Sequence, residues 1–259
     1  MNIAGIEIGS GEPCRFVAEI SCNHNGSVAL AEKLVIAAAR IGADFVKFQA
    51  YTPDELIALR GDGPAPDPWG TDGWSMRQLY EKARTPREWF PNLFALARGW
   101  GIVPFASVFG AESLAAMEAI GCPAYKIASF ERDAHGLYAA VRATRKPILI
   151  SRPDEPPTPD DAAVGYLYCP PGYPTPTDHL KLPYDFDFAG FVGLSSHCLD
   201  RRLPIVAVAR HCHLIEMHLQ GGLWNGDDDR SALESAVSLT AMEFADMIRD
   251  VRAAEELIS

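Results

Sequence analysis

Short apolar runs alternate with amphipathic stretches along the whole chain, and this pattern predicts a strand–helix repeat. Eight of the runs have the length and composition of strands, and most are apolar on both faces, as expected for parallel strands covered by helices. They span residues 16–21, 45–50, 102–108, 124–129, 147–151, 165–169, 192–196 and 214–219. Eight such strands favour a closed (β/α)8 TIM barrel of the α/β class over an open doubly wound sheet.

Helices are predicted between most of these strands, over residues 28–41, 86–99, 111–120, 133–144, 202–212 and 239–257. Several of them end at a glycine, namely Gly42, Gly99 and Gly121, which is a common helix stop. Residues 152–168 and 170–187 are rich in proline and aspartate, so helices five and six are expected to be short or absent. Residues 60–74 are predicted to form a long loop after the second strand.

Length and composition narrow the class of protein. A chain of 259 residues fits one barrel domain over 1–259, and an apolar content of 48% is ample for its core. We expect no membrane span and no secretory signal, because no apolar run approaches about 20 residues and the first ten residues lack a signal's features. The six cysteines form no CxxC pair, which indicates reduced thiols in the cytoplasm.

The formal net charge of −11 disfavours a nucleic acid as partner. It leaves room for an anionic small molecule, because an acidic shell can enclose a basic pocket. Polar side chains also interrupt or follow the apolar strands near their carboxyl ends, which meet at one mouth of a barrel. They are Glu19, Lys47, Gln49, Ser107, Lys126, Ser129, Glu131, Ser151, Ser195, His197, Glu216 and His218.

A cluster of buried polar groups on one face needs a ligand, because burial without a partner is costly. Two lysines and several hydroxyls suit a phosphate or carboxylate, and His197 and His218, on adjacent strands, suit a divalent metal. Each residue also has a structural explanation: a strand histidine is more often a satisfied core residue, and Lys47 or Lys126 alone could be an ion-pair partner. Their common position at successive strand ends favours function. No function is assigned to four histidines: His135, His179, His211 and His213.

Several strings, in order, match one known family. FVAEISCNHNGSVALAEKLVIAAARIGADFVKFQAY, GIVPFASVFGAESLAAMEAIGCPAYKIASFE, KPILIS, YPTP, VGLSSH and LIEMHL resemble the sialic acid synthases, which make nine-carbon 2-keto sugar acids from phosphoenolpyruvate. LYEKARTPREWFPNLF is more similar to the pseudaminic and legionaminic acid branch than to the N-acetylneuraminate branch. The resemblance covers nearly the whole chain, and NHNG, VKFQ and YKIAS are its most specific parts.

The resemblance implies an enzyme that joins phosphoenolpyruvate to the aldehyde of an open-chain N-acyl amino sugar, with C–O cleavage and release of phosphate. It implies that His197 and His218 ligate Mn²⁺, with Mg²⁺ or Co²⁺ as alternatives, and that Glu216 orients the water molecules on the metal. Glu19 would accept the proton of the water that adds at C2. Phosphoenolpyruvate would be bound by Lys47, Ser107, Lys126, Ser129, Ser151 and Ser195, and the sugar by Gln49, Tyr173 and Asp228.

Four features depart from the family pattern. The sequence has no C-terminal antifreeze-like domain, so the expected partner is a second copy of the chain or a separate antifreeze-like cap protein. Arg152-Pro153-Asp154 stands where the family has Thr-Gly-Met, Pro171 replaces an asparagine that binds phosphoenolpyruvate, and Ser196 replaces an aspartate. We expect Arg152 to bind the phosphate or carboxylate instead. Three interpretations stay open: a synthase with an altered or smaller acceptor, a metal-dependent lyase or aldolase on a related sugar or phosphorylated acid, and a non-catalytic sugar- or phosphate-binding homologue.

Overall fold

The computed structural model describes residues 1–67, 69–159, 161–221 and 233–258. The chain begins with a short antiparallel hairpin, and eight parallel strands then close into a barrel, with β10 pairing with both β9 and β3. The strands are β1 (Asn2–Ile3), β2 (Ile6–Glu7), β3 (Arg15–Glu19), β4 (Phe45–Ala50), β5 (Val103–Val108), β6 (Tyr125–Ile127), β7 (Ile148–Arg152), β8 (Val164–Tyr168), β9 (Gly193–Ser196) and β10 (Leu214–Leu219). The predicted (β/α)8 barrel is confirmed, and each barrel strand overlaps a predicted one.

Helices cover most of the barrel wall. They are α1 (Val28–Arg40), α2 (Pro53–Arg60), α3 (Met76–Ala83), α4 (Phe90–Gly99), α5 (Ala111–Ala119), α6 (His135–Ala143), α7 (Arg202–Val208) and α8 (Ala241–Ile258), and a short strand β11 (Ser238–Leu239) pairs with the end of β10. The described residues between β7 and β8 form no helix, and those between β8 and β9 form only the 3-10 turn Thr177–His179. The prediction of short or missing helices five and six is therefore confirmed.

The segment after β4 differs from the prediction. Two helices that were not predicted, α2 and α3, flank a loop that also contains the 3-10 turn Trp69–Asp72. Both helices begin with a capping box, Thr52 with Glu55 and Ser75 with Gln78. They pack around a satellite apolar cluster of Leu56, Tyr80 and Phe109, with Phe109 supplied from the end of β5. The predicted loop over residues 60–74 is therefore present, with one 3-10 turn inside it, and the helices at its two ends are what the prediction missed.

The barrel interior is apolar at its amino-terminal end and polar at its carboxyl end. Phe45 and Phe105 meet edge to face with ring centroids 5.9 Å apart, and both point inward because Phe105 pairs with Lys47 and Phe45 lies two residues before it. At Gly193 an added Cβ would lie 2.3 Å from the carbonyl oxygen of Leu214, so only glycine fits there. This packing fills the amino-terminal end of the barrel interior with apolar side chains.

Three further expectations can be compared with the structure. No helix in the described ranges is both long and apolar enough to cross a membrane. All six cysteines are buried and none is paired in a disulfide. His211 and His213 pair with Asp185 and Asp187 away from the barrel mouth.

Candidate active site

Strand register brings the predicted polar residues to one level of the barrel. Glu19 on β3 pairs in register with Lys47 on β4 and with His218 on β10. Likewise, Ser107 on β5 pairs with Lys126 on β6, and Ser195 on β9 pairs with Glu216 on β10. Because paired residues of neighbouring strands share a face, these side chains converge inside the mouth. All seven are at least 95% buried.

An ionic network joins the two lysines to the two glutamates. The Nζ atom of Lys47 contacts Oε2 of Glu19, donates to Oγ of Ser107 at 3.1 Å and lies 3.6 Å from Oε1 of Glu216. The Nζ atom of Lys126 lies 2.5 Å from the same Glu216 oxygen. Glu216 therefore bridges lysines on two strands across the barrel.

Ser195 completes the second half of this network. Its hydroxyl lies 3.2 Å from Nζ of Lys126 and donates to Oε1 of Glu216 at 2.9 Å. Burial raises the pKa of the Cys169 thiol, and the hydroxyls of Ser129 and Ser195 act in the opposite direction. Ser129 begins the 3-10 turn that directly follows β6. Ser151 on β7 is 2% exposed, and its hydroxyl has no hydrogen-bond partner. The lysines and serines that were predicted to bind an anion thus lie at the same, carboxyl end of the barrel.

Burial and pairing together set the charges of the network. Burial alone would raise the pKa of Glu216, but Lys126 and Lys47 outweigh it and lower the pKa to about 2. For Lys126 burial prevails over Glu216 and lowers the pKa. For Glu19 burial prevails over Lys47 and raises the pKa. Burial acts to lower the pKa of Lys47, but the neighbouring Glu19 and Glu216 outweigh burial and raise that pKa. The lysines are therefore largely neutralised by their own carboxylates before any ligand binds.

The two predicted metal-binding histidines are neighbours. The rings of His197 and His218 lie 5.3 Å apart, and the ring of Tyr173 lies 4.5 Å from that of His197. The Nδ1 atom of His218 lies 3.2 Å from Oε2 of Glu234, whose other oxygen accepts a hydrogen bond from the Tyr173 hydroxyl. Burial lowers the pKa of His197 to about 3, so its ring is neutral. Burial also acts against a charged His218, but the adjacent Glu234 raises the pKa of that ring.

The donor set fits a divalent metal. Nδ1 of His218, which faces Glu234, and Oε2 of Glu216 are buried and form no hydrogen bond, which suits atoms that bind or orient a ligand. A neutral His197 supplies a further imidazole nitrogen of the kind that transition metals prefer. Within the described ranges, no three His, Cys, Asp or Glu side chains are already gathered as a complete metal site.

Three predicted site residues need separate comment. Gln49 donates to the hydroxyl of Ser21 at 2.9 Å, at the mouth. Arg152 is turned to Asp154, to which its Nε donates at 2.9 Å. The predicted sugar contact Asp228 lies outside the described residues.

Glu234, Ser21 and Asn23 were not assigned a role from the sequence. Glu234 contacts Ser21 as well as Tyr173 and His218. The side-chain amide of Asn23, the first residue of NHNG, donates to the carbonyl of Leu219 and to the hydroxyl of Ser238, each at 2.9 Å. The motif therefore ties the loop after β3 to β10 and β11. Asn23 lay within a motif that the sequence had marked, but no sequence signal connected Glu234 to His218.

Comparison with known proteins identifies the family. The sequence matches the family model described as the NeuB family over residues 34–153 and 158–259. The chain belongs to the NeuB family. It is 32% identical over 265 residues to the pseudaminic acid synthase of Campylobacter jejuni subsp. jejuni serotype O:23/36 (strain 81-176), an alignment that covers 93% of this chain and 74% of the relative. Over 227 residues it is 34% identical to the pseudaminic acid synthase of Helicobacter pylori (strain ATCC 700392 / 26695), covering 80% of this chain and 66% of the relative.

Solved structures share the fold of this NeuB-family chain. The N-acetylneuraminic acid synthetase of Leptospira borgpetersenii serovar Hardjo-bovis, crystallised with citrate, superposes with a TM-score of 0.82 at 21% identity, covering 100% of this chain and 90% of that one. A truncated 3-deoxy-D-arabino-heptulosonate 7-phosphate synthase from Thermotoga maritima superposes with a TM-score of 0.67 at 12% identity, covering 100% and 92%. At these identities the likeness concerns the barrel alone.

Proposed function

We propose that this NeuB-family chain is a cytoplasmic synthase that condenses phosphoenolpyruvate with the aldehyde of an N-acyl amino sugar, giving a nonulosonic 2-keto acid. The observation that carries the proposal is the pair of buried lysines, Lys47 and Lys126, at one barrel mouth beside two histidines. Phosphoenolpyruvate carries two anionic groups on three carbons, and two fixed cations match it. The relatives at 32% and 34% identity bear the name pseudaminic acid synthase.

The lysines and the strand-end hydroxyls bind phosphoenolpyruvate in this proposal. Lys47 and Lys126 neutralise its carboxylate and phosphate, and Ser107 and Ser195 already contact the two Nζ atoms. The unsatisfied Ser151 hydroxyl and the Ser129 hydroxyl supply further donors on β7 and after β6. Arg152, next to Ser151, adds a guanidinium once it exchanges Asp154 for the phosphate or carboxylate.

His197 and His218 hold a divalent metal, Mn²⁺ first and Mg²⁺ or Co²⁺ as alternatives. When bound, such an ion supplies Lewis acidity toward the carbonyl oxygen of the acceptor. Glu216, with Oε2 unsatisfied, orients water at this side of the site. Gln49 is linked to Glu234 through the Ser21 hydroxyl, and Tyr173 donates a hydrogen bond to Glu234 directly. In this proposal both Gln49 and Tyr173 contact the sugar. Asp228 stays a sugar contact by resemblance only.

The bond changes balance without a redox partner. A bond forms between C3 of phosphoenolpyruvate and the aldehyde carbon, whose oxygen takes a proton. Water adds at C2 and supplies two protons. The first passes to Glu19, whose pKa is raised by burial although Lys47 opposes the shift, and balances the proton that the aldehyde oxygen takes. The second leaves the C2 hydroxyl with the departing phosphate as the 2-keto group forms. The bond between C2 and the bridging oxygen then breaks, and phosphate leaves with that oxygen. The mass of the product equals that of the aldehyde plus pyruvic acid.

An isotope label tests the reaction type directly. The chain is incubated with Mn²⁺, N-acyl mannosamine-type or 2,4-diacetamido sugars, and phosphoenolpyruvate carrying ¹⁸O in the C2–O–P bridge. We expect ¹⁸O in the released phosphate and a product with the mass given above. A His211→Ala control, changed far from the mouth, should behave like the wild type. Condensation with pyruvate and no phosphate release would favour a lyase or aldolase, and ligand binding without turnover would favour a non-catalytic homologue.

A further inference from the structure

Two buried polar atoms at the mouth face each other without forming a hydrogen bond. Nδ1 of His218 and Oε2 of Glu234 lie 3.2 Å apart. They form an ion pair when the ring is protonated, but their geometry is not that of a hydrogen bond, neither atom hydrogen-bonds elsewhere, and both are excluded from solvent. Buried polar atoms in native proteins are satisfied as a rule, so a facing pair of this kind requires an explanation.

Their spacing is that of two atoms that share a cation. An octahedral ion with bonds of about 2.1 Å places neighbouring ligand atoms about 3 Å apart. An imidazole nitrogen and a carboxylate oxygen are also ligands that Mn²⁺ accepts, and a carboxylate offsets charge that two neutral histidines leave uncompensated. We propose that Glu234 is a third protein ligand of the divalent metal, beside His197 and His218. The proposal rests on the metal site of the proposed function.

The surroundings hold the Glu234 carboxylate at this place. One carboxylate oxygen accepts the hydrogen bond of the Tyr173 hydroxyl, and the Ser21 hydroxyl also contacts the group. The Glu234 carbonyl accepts a hydrogen bond from Ser238 at 2.7 Å, and Ser238 in turn accepts one from Asn23 at 2.9 Å.

Ser238 is also paired in register with His218, because β11 lies beside β10. Ser238 therefore holds Glu234 through a hydrogen bond and His218 through the pairing of β11 with β10. The third proposed ligand is His197. Its ring centroid lies 5.3 Å from that of His218, and the two ring planes are inclined at 58°. Because no three His, Cys, Asp or Glu side chains of the described ranges are yet gathered around one point, metal binding in this proposal brings the three side chains closer together.

Mn²⁺ binding without substrates tests the proposal independently of catalysis. The chain is titrated with Mn²⁺, and free Mn²⁺ is followed by electron paramagnetic resonance. Glu234→Gln should weaken Mn²⁺ binding by at least tenfold, the scale of ligand-shell losses. Tyr173→Phe, which removes only the support of the carboxylate, should weaken it less. Glu155→Gln, at an exposed position, should leave it unchanged.

A second readout applies to whatever Mn²⁺ the variant still binds. Proton relaxation counts the exchangeable waters on the ion, and Glu234→Gln should show one more than the wild type. Glu234→Asp provides the same comparison if the glutamine variant does not fold. Equal affinity and equal water count in wild type and variant would overturn the proposal and leave the proposed function standing. A wild-type chain that binds none of Mn²⁺, Mg²⁺ and Co²⁺ would overturn both the proposal and the metal part of that function.

Discussion

The Nζ atom of Lys126 lies 2.5 Å from Oε1 of Glu216, between two strands that are not neighbours in the barrel. Both side chains are at least 95% buried. An anion that reaches Lys126 therefore replaces an internal carboxylate rather than water. Under the proposed function, binding of phosphoenolpyruvate is an exchange of ion partners, and its affinity depends on how readily Glu216 releases Lys126.

Removal of one partner from this pair should be costly. Lys126→Met leaves Glu216 buried with only Lys47 and Ser195, and we expect a loss of about 3 kcal/mol in the free energy of unfolding in urea. The double variant Lys126→Met with Glu216→Gln should recover most of that stability but no synthase activity. Lys146→Met, which breaks a half-exposed contact with Glu118, should change stability by less than about 1 kcal/mol. Equal losses of unfolding free energy in Lys126→Met and Lys146→Met would contradict the prediction that the buried pair matters more.

Acid should destabilise the fold through His24. This ring is 1% exposed, and burial lowers its pKa to about 4, although Glu234 acts in the opposite direction. Nδ1 accepts from the amide of Gly26 at 3.0 Å, so the proton resides on Nε2, which faces Oγ1 of Thr85 at 3.1 Å.

Because the folded pKa is depressed, this contribution is fully present above about pH 6.5 and is lost as the pH falls toward 4. Over that window the free energy of unfolding of the wild type should fall by up to about 3 kcal/mol more than that of His24→Asn, because the buried His197, whose pKa is also low, contributes equally to both proteins. The exposed His211→Asn serves as control and should follow the wild type. A wild-type profile that is flat from pH 6.5 to 5 would rule the effect out.

The helical pair α2 and α3 should loosen when Arg60 is changed. The Nε of Arg60 donates to Oε1 of the buried Glu131 at 2.6 Å, and its guanidinium lies over the ring of Phe130 at 5.1 Å. Arg60→Gln should cost about 1–3 kcal/mol and speed amide exchange in α2 and α3. Arg77→Gln, which loses an exposed pair with Asp54, should leave exchange unchanged. Slow exchange in both variants would show that apolar packing alone holds the segment.

Arg152 should affect the affinity for phosphoenolpyruvate. Arg152→Ala should raise the apparent KM for phosphoenolpyruvate about tenfold or more, because a charge-assisted contact is lost, while the KM for the sugar stays the same. Asp154→Asn, which frees the guanidinium, should lower the KM for phosphoenolpyruvate. The exposed Lys33→Ala serves as control. An unchanged KM in Arg152→Ala would show that the substitution of Arg152 for the family residue has no role in binding.

Periodicity was sufficient for the barrel but not for its contacts. The eight strands could be predicted from the sequence because parallel strands covered by helices are apolar on both faces. Helices α2 and α3 were missed although Thr52 with Glu55 and Ser75 with Gln78 form readable capping boxes, since the turn residues between them dominated the pattern.

The ion pairs inside the barrel mouth could not be predicted from the sequence. Polar strand ends predicted that Lys126, Glu216 and His218 converge, yet not that Glu216 bridges two lysines, because a contact across the barrel has no period along the chain. The contact of Glu234 with His218 depends in the same way on the position of β11 beside β10.

The bare stretch of barrel wall after β7 and β8 divides the enzyme into two halves that can evolve at different rates. The ionic network and the histidines sit on strands that helices support, whereas residues 153–159 and 169–192 connect through coil and one short turn. Coil tolerates substitution and insertion better than packed helix. Under the proposed function, new acceptor sugars are therefore most accessible through changes in residues 169–192, around Tyr173, with the lysines on β4 and β6 left intact.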